Sequence, residues 1–189
     1  MKKTKTIAVI SMVRSDTFFA NKWITYYGSQ FGFENLYLFI DGLDQKLPSL
    51  SKKINYYQIP HVEFSREKSD RKRSRYISKF AFDLFVKYEI VLAMDIDEFL
   101  IVDPFQKISL KDYLSRDFKS SSLSALGLDV GQHPSIEKPI DLSKPFLSQR
   151  AFAQVSDRYT KPIITFKPLR WGSGFHRIKW KNFTIDNNL

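Results

Sequence analysis

The chain has 189 residues, 43% of them hydrophobic and 15% aromatic, with no cysteine and a formal net charge of +10. This composition excludes a disordered chain, a disulfide scaffold, a thiolate metal site and a cysteine nucleophile, and no stretch approaches the roughly 18 unbroken apolar residues of a membrane span. The length suits one domain, residues 1–189, and the charge calls for an anionic partner: nucleic acid, a phosphorylated small molecule or an acidic membrane surface.

Met1-Lys2-Lys3-Thr4-Lys5 is basic, but the apolar segment behind it breaks at Arg14 and Asp16 and has no small-residue cleavage site, so it reads as a first strand (Ile7 to Ile10) and not as a signal peptide. From about Thr17 to Gln30, Phe18, Phe19, Trp23, Ile24 and Tyr27 recur at near-helical spacing, with Gly28 and Gly32 near the end. Leu36 to Ile40 reads as a second strand closing on Asp41-Gly42, and Ile54 to Ile59 as a weaker third ended by Pro60.

Between Ser69 and Tyr88, Tyr76, Ile77, Phe80, Ala81, Leu84, Phe85 and Tyr88 form one stripe at intervals of three and four, which predicts an amphipathic helix capped by Ser69 or Asp70. The helix is basic at its start: Arg66, Lys68, Arg71, Lys72, Arg73, Arg75 and Lys79 face only Glu67 and Asp70. Such a run is ordinarily a solvated face. On a 100° wheel, however, Arg73 shares the side of Ile77, Phe80 and Leu84, while Arg75 points nearly opposite. Arg73 therefore enters the fold near a helix N-terminus, where a phosphate can meet it.

The next strand, Ile90-Val91-Leu92-Ala93-Met94, is a continuous apolar run that fits burial on both sheet faces, and Asp95-Ile96-Asp97-Glu98 follows at its C-terminal end. Alternation along an extended chain sends Asp95 and Asp97 to one side and Ile96 to the other. Two such carboxylates suit Mg²⁺ or Mn²⁺ with coordination positions left for phosphate oxygens. The plainer reading is a solvated acidic turn.

Beyond it, Asp103-Pro104 marks a turn, Leu110 to Phe118 a short helix, Ser122 to Val130 a strand, and Gly131 to Pro145 a loop. The last part is aromatic and basic, from Ile163-Ile164-Thr165-Phe166-Lys167-Pro168 to Trp171-Gly172-Ser173-Gly174-Phe175-His176-Arg177. Trp171 and Phe175 could stack on a sugar face, but core packing is the simpler account of each. His61 and His133, each beside a proline, read as ordinary surface histidines. The ending Ile185-Asp186-Asn187-Asn188-Leu189 has neither helix stop nor polar tail, which suggests a C-terminal truncation.

With this element order, Asp41, the basic helix and Asp95-Ile96-Asp97-Glu98-Phe99-Leu100, the chain resembles a glycosyltransferase of the GT-A fold, in the family-2-like group with a D-x-D-E-F-L motif. The resemblance runs from the first strand to about Arg177. It implies a Rossmann-like α/β/α sandwich around a mainly parallel sheet, and transfer of a sugar from a nucleotide-sugar donor, UDP-linked above all, to a hydroxyl acceptor in glycan or polysaccharide synthesis, with inversion. It also implies a divalent metal, Mn²⁺ or Mg²⁺, held by Asp95, Asp97 and His176. Nucleotide-sugar contacts would come from Met12, Arg14, Asp41, Arg73 and Asp95, with Asp95 touching the ribose or a metal-bound water and Glu98 bracing the turn. Asp129, closing a strand on the acceptor side, is the candidate base, although its residue type before Gly131 is more simply that of a turn former.

The rival enzyme is a metal-dependent nuclease or phosphatase, which would also use clustered carboxylates in basic surroundings. The rival from another class is a basic nucleic-acid-binding module, whose binding would fall steeply with salt and survive loss of the carboxylates. Under the glycosyltransferase reading no nucleic-acid partner is expected. The expected location is the cytoplasm, with peripheral contact to an anionic inner membrane face.

Overall fold

A computed structural model of the protein describes residues 4–178 and 184–186; Met1 to Lys3 of the basic leader and the closing Asn187 to Leu189 lie outside them. The order of elements is β1 (Ile7–Val13), α1 (Thr17–Phe31), β2 (Leu36–Asp41), β3 (Asn55–Ile59), α2 (Arg66–Leu84) and β4 (Ile90–Ala93). There follow α3 (Leu110–Leu114), β5 (Ser122–Ala125), β6 (Leu128–Gly131), β7 (Phe152–Val155), β8 (Ile164–Thr165) and β9 (Thr184–Asp186).

Seven strands form one sheet in the order β3-β2-β1-β4-β8-β5-β9, while β6 and β7 pair as a separate antiparallel ribbon. β3, β2, β1 and β4 are parallel, β8 runs against both its neighbours, and β9 is parallel to β5. Strand alternation divides the core into two layers. Ile7, Val9, Ile90 and Leu92 pack toward α1 and α3, with Trp23, Tyr27 and Leu114. Ala8, Ile10, Val91 and Ala93 pack toward α2 and the C-terminal segment, with Ile77, Ala81, Trp171 and Phe175. The sheet is thus covered on both faces, as its unbroken apolar strands require, and each fully buried Ile, Leu or Phe contributes about 1.5–3 kcal/mol. This is a Rossmann-like α/β arrangement. Among the described residues no helix is long and apolar enough to cross a membrane.

The helix signals are met with shifted boundaries. Asp16 caps α1, its Oδ1 accepting from the Phe19 amide at 2.9 Å, and Gly32 ends it at φ 95°. α2 begins at Arg66, before the expected Ser69 or Asp70, because the Ser65 carbonyl already accepts from the Ser69 amide at 2.9 Å and Glu67 pairs with Arg71 one turn on. It stops at Leu84, leaving Tyr88 to bond Asn35 and Tyr37 from a turn.

The largest departure is in the region read as one strand from Ser122 to Val130. It is two: β5 joins the main sheet, then the chain turns at Gly127, whose amide donates to the Thr160 hydroxyl at 3.0 Å, and β6 leaves with β7. The apolar run showed strand character but not the change of partner.

Candidate functional site

In the parallel part of the sheet the chain moves outward from β1 to β2 and β3, then returns to the other side of β1 to lay down β4. The crevice outside the carboxyl ends of β1 and β4 is the switch point at which open α/β sheets bind ligands. A groove of about 1570 Å³ opens there, lined by Met12 and Arg14 after β1, Asp41 after β2, His61 after β3, Arg73 on α2 and Asp95 and Asp97 after β4. His176, from the segment that packs on α2, lines it too. Seven of the eight residues singled out in the sequence therefore meet in one cavity. The eighth, Asp129, is exposed on β6, opposite Gln154 of the ribbon, and is not in the groove lining.

The motif divides into two parts with different work. Asp95 to Glu98 is a tight turn and not a strand continuation: the Glu98 amide donates to the Asp95 carbonyl at 3.2 Å. Asp95 continues the side of Val91 and Ala93, toward α2, while Ile96 joins the α1 layer. Phe99 and Leu100 fasten the turn to α1. The Phe99 ring stacks on Tyr27 with centroids 6.2 Å apart and meets Tyr26 edge-on at 5.6 Å. The Tyr27 hydroxyl accepts from the Leu100 amide at 2.7 Å, and the Tyr26 hydroxyl donates to the Leu100 carbonyl at 2.7 Å. On the other side the Ser11 hydroxyl donates to the Met94 carbonyl at 2.8 Å. The acidic turn is thus held at both ends.

Asp95 lies between two cations. Arg73 Nη1 is 2.7 Å from its Oδ1 and Lys161 Nζ is 2.7 Å from its Oδ2. Lys161 also reaches Glu98 Oε1 at 2.5 Å, and at 4% exposure it is a buried charge. Burial works against the Lys161 ammonium, but Glu98 and Asp95 more than reverse it and hold its pKa above the ordinary lysine value. Burial and the neighbouring Asp95 raise the Glu98 carboxyl above the usual range, with Lys161 offsetting part of the rise. Glu98 braces the turn. Arg73 is fixed further by Asp70 at 3.5 Å and by the Phe175 ring, whose centroid is 5.5 Å from the guanidinium carbon. Phe175 and Trp171 are buried against α2, so they are core residues and not sugar platforms.

Asp97 differs from Asp95: it is exposed, and among the described residues nothing pairs with its carboxylate. His176 is exposed as well. Among the described residues no group of three or more His, Cys, Asp or Glu is arranged to hold a metal ion, so Asp95, Asp97 and His176 share the groove without forming a cage. What is present fits the looser mode of Mg²⁺ or Mn²⁺, held by one or two carboxylates with phosphate oxygens and water completing the shell. Asp97 is free for it. Asp95 Oδ1, although buried, has no aligned hydrogen bond.

Two groove residues escape a reading of the sequence. His61 Nδ1 is 2.9 Å from Asp41 Oδ2, so a histidine expected to be ordinary orients the Asp41 carboxylate. Lys161 stood in no motif. Arg14 is less free than expected, since Nη1 donates to the Asp41 carbonyl at 2.6 Å and pairs with Asp44 at 3.4 Å; Gly42, at φ 129°, leaves room for that guanidinium. Arg75 lines the groove as well, contrary to the wheel, because the groove extends around the solvent side of α2. In comparison with known proteins, no protein-family model and no curated protein matches this chain.

Proposed function

We propose that the groove binds a nucleotide-sugar and that the protein is a glycosyltransferase of the GT-A type, acting on a hydroxyl acceptor. The observation that carries the reading is the acidic turn after β4, pinned at the switch point opposite Arg73 in a groove that Met12, Arg14 and Asp41 also line. Asp41, oriented by His61, offers a carboxylate to ribose or base hydrogen-bond donors. Arg73, held by Asp95 and Asp70, brings its positive charge to the donor's diphosphate at the N-terminal half of α2. Lys161 keeps the carboxylate pair of the turn from repelling that diphosphate.

In the reaction the acceptor oxygen bonds to the anomeric carbon as the bond from that carbon to the diphosphate oxygen breaks. The electron pair leaves with the nucleoside diphosphate, and the hydroxyl proton passes to water. Inversion follows from the resemblance. Arg73 stabilises the charge that develops on the leaving group. Asp97, with Asp95 and His176, would hold Mn²⁺ or Mg²⁺, which when bound supplies further charge offset there. Asp129, outside the groove lining, is given no step. Peripheral contact with an anionic membrane belongs to the same proposal, on the strength of the +10 charge, and a cytoplasmic setting is compatible with the lack of cysteine.

Isothermal titration of UDP, GDP and related nucleoside diphosphates, with and without Mn²⁺, tests it. The expected result is binding of one nucleotide that is strengthened by Mn²⁺ and weakened at least about tenfold in Asp97→Ala. No binding, or binding that Asp97→Ala leaves unchanged, would sink the reading.

A further inference from the structure

Among the described residues, six acidic side chains line the groove: Asp16, Asp41, Asp70, Asp95, Asp97 and Glu98. Asp16 caps α1, Asp41 meets His61, Asp70 and Asp95 meet Arg73, and Glu98 meets Lys161, which leaves Asp97 alone without a partner among the described residues. Arg14, Arg73 and Lys161 of the basic lining are paired too, but the rest of it is in the opposite state: Arg66, Arg75, Lys79 and Arg158 are exposed, and among the described residues none has a side-chain ion pair or hydrogen bond.

The spacing of these free cations decides what they can serve. From Arg66 to Lys79, α2 rises about 20 Å at 1.5 Å per residue. The donor's diphosphate, two adjoining phosphoryl groups beside Arg73, covers only a fraction of that length. Phe64 and Tyr76 stand half-exposed among the same cations, and the Lys72 ammonium lies 3.7 Å from the Phe64 ring centroid. Charge spaced along a groove and interleaved with aromatic faces matches a chain of sugars carrying anionic groups.

We infer that the α2 wall is the acceptor subsite and that the acceptor is an anionic glycan, one bearing phosphate, sulfate or carboxylate groups. The inference rests on the glycosyltransferase reading, because it is the continuity of the wall with the acidic turn that makes its ligand the acceptor. Nucleic acid uses similar surfaces. A glycan is favoured because the wall continues into the acidic turn, where the proposed transfer needs a hydroxyl acceptor.

The test titrates a sulfated dextran oligosaccharide, neutral dextran of equal length and an oligothymidylate into the protein, each with and without a saturating nucleoside diphosphate and Mn²⁺. The variants are Arg75→Glu with Lys79→Glu on the groove wall, and Lys68→Glu with Arg71→Glu, the same charge change on the same helix at residues that do not line the groove. The expected result is that sulfated dextran binds the nucleotide-loaded protein, neutral dextran binds at least about tenfold more weakly, and the wall pair weakens the sulfated ligand at least about tenfold while the control pair changes it less than about threefold.

Equal losses in both pairs would reduce the effect to net charge and overturn the inference, as would absence of sulfated dextran binding. Competition between nucleotide and sulfated dextran would assign the wall to the donor instead, and tighter binding of oligothymidylate would assign it to nucleic acid. If no nucleoside diphosphate binds the wild type, the glycosyltransferase reading fails on its own, and the sulfated dextran arm without nucleotide still reports on the wall.

Discussion

The floor of the groove and its α2 wall are built from the same kinds of residue in opposite electrostatic states. On the floor, Asp95 and Glu98 are matched by Arg73 and Lys161 at 2.5 to 2.7 Å, largely out of water. On the wall, Arg66, Arg75 and Lys79 have no partner among the described residues and are solvated. A buried charge whose partner is removed is costly, whereas an exposed one is nearly free to change. The floor is therefore part of what holds the fold at this point, and the wall is available to a ligand at little cost to stability.

Removing Lys161 breaks this comparison most directly. In Lys161→Met two carboxylates remain close together, with Arg73 beside Asp95 and no cation beside Glu98, and the expected loss is about 3–5 kcal/mol in urea denaturation. A loss below about 1 kcal/mol would show that the floor is no more coupled to the fold than the wall.

Lys161 also shows what a sequence reader can and cannot see. The D-x-D turn and Arg73 were legible because each depends on local periodicity: an apolar run that ends in acids, and a helical stripe that carries one arginine to its buried side. Lys161 is on the floor because β8 runs antiparallel to β4, with Leu92 opposite Ile164 and Val91 opposite Thr165. Carried three residues further, that register sets Asp95 against Lys161. A two-residue strand more than sixty positions away gives no local signal of such pairing. His61 escaped for the same kind of reason. β2 and β3 end side by side, with Asp41 opposite Ile59, and only that pairing delivers the histidine to the carboxylate. The division of residues 122–130 between two sheets is likewise a matter of partners, since β5 and β6 are both runs of four residues with nothing in their composition to mark a change of sheet.

A smaller effect of pH reports on Glu98. Glu98 has its pKa raised from an ordinary value near 4.5, chiefly by burial and next by Asp95. The folded state therefore keeps this proton to higher pH than the unfolded state does, so the stability it contributes is complete below about 4.5 and is lost as pH rises through the raised value. In Glu98→Gln that dependence is absent. The stability of wild type relative to Glu98→Gln should fall as pH increases from 4 and level off once Glu98 is ionised in both states, as measured by urea midpoints at half-unit steps. A difference that rises with pH over that window would mean that Lys161 outweighs burial and Asp95, and that the floor is an ordinary salt bridge.

The smallest change is expected on the wall, and there its smallness is the informative part. Arg75 and Lys79 are exposed on α2 and touch no described partner, so Arg75→Glu with Lys79→Glu should alter unfolding free energy by no more than about 0.5 kcal/mol per site. The direction should be slightly stabilising, since the substitutions lower a net charge of +10 whose self-repulsion opposes the compact state. That gain should shrink in 0.5 M salt, where exposed charges are screened over a few ångströms. If the pair instead costs more than about 2 kcal/mol, the wall cations have partners that matter to folding, and the distinction between a paired floor and a wall kept open for an anionic ligand does not hold.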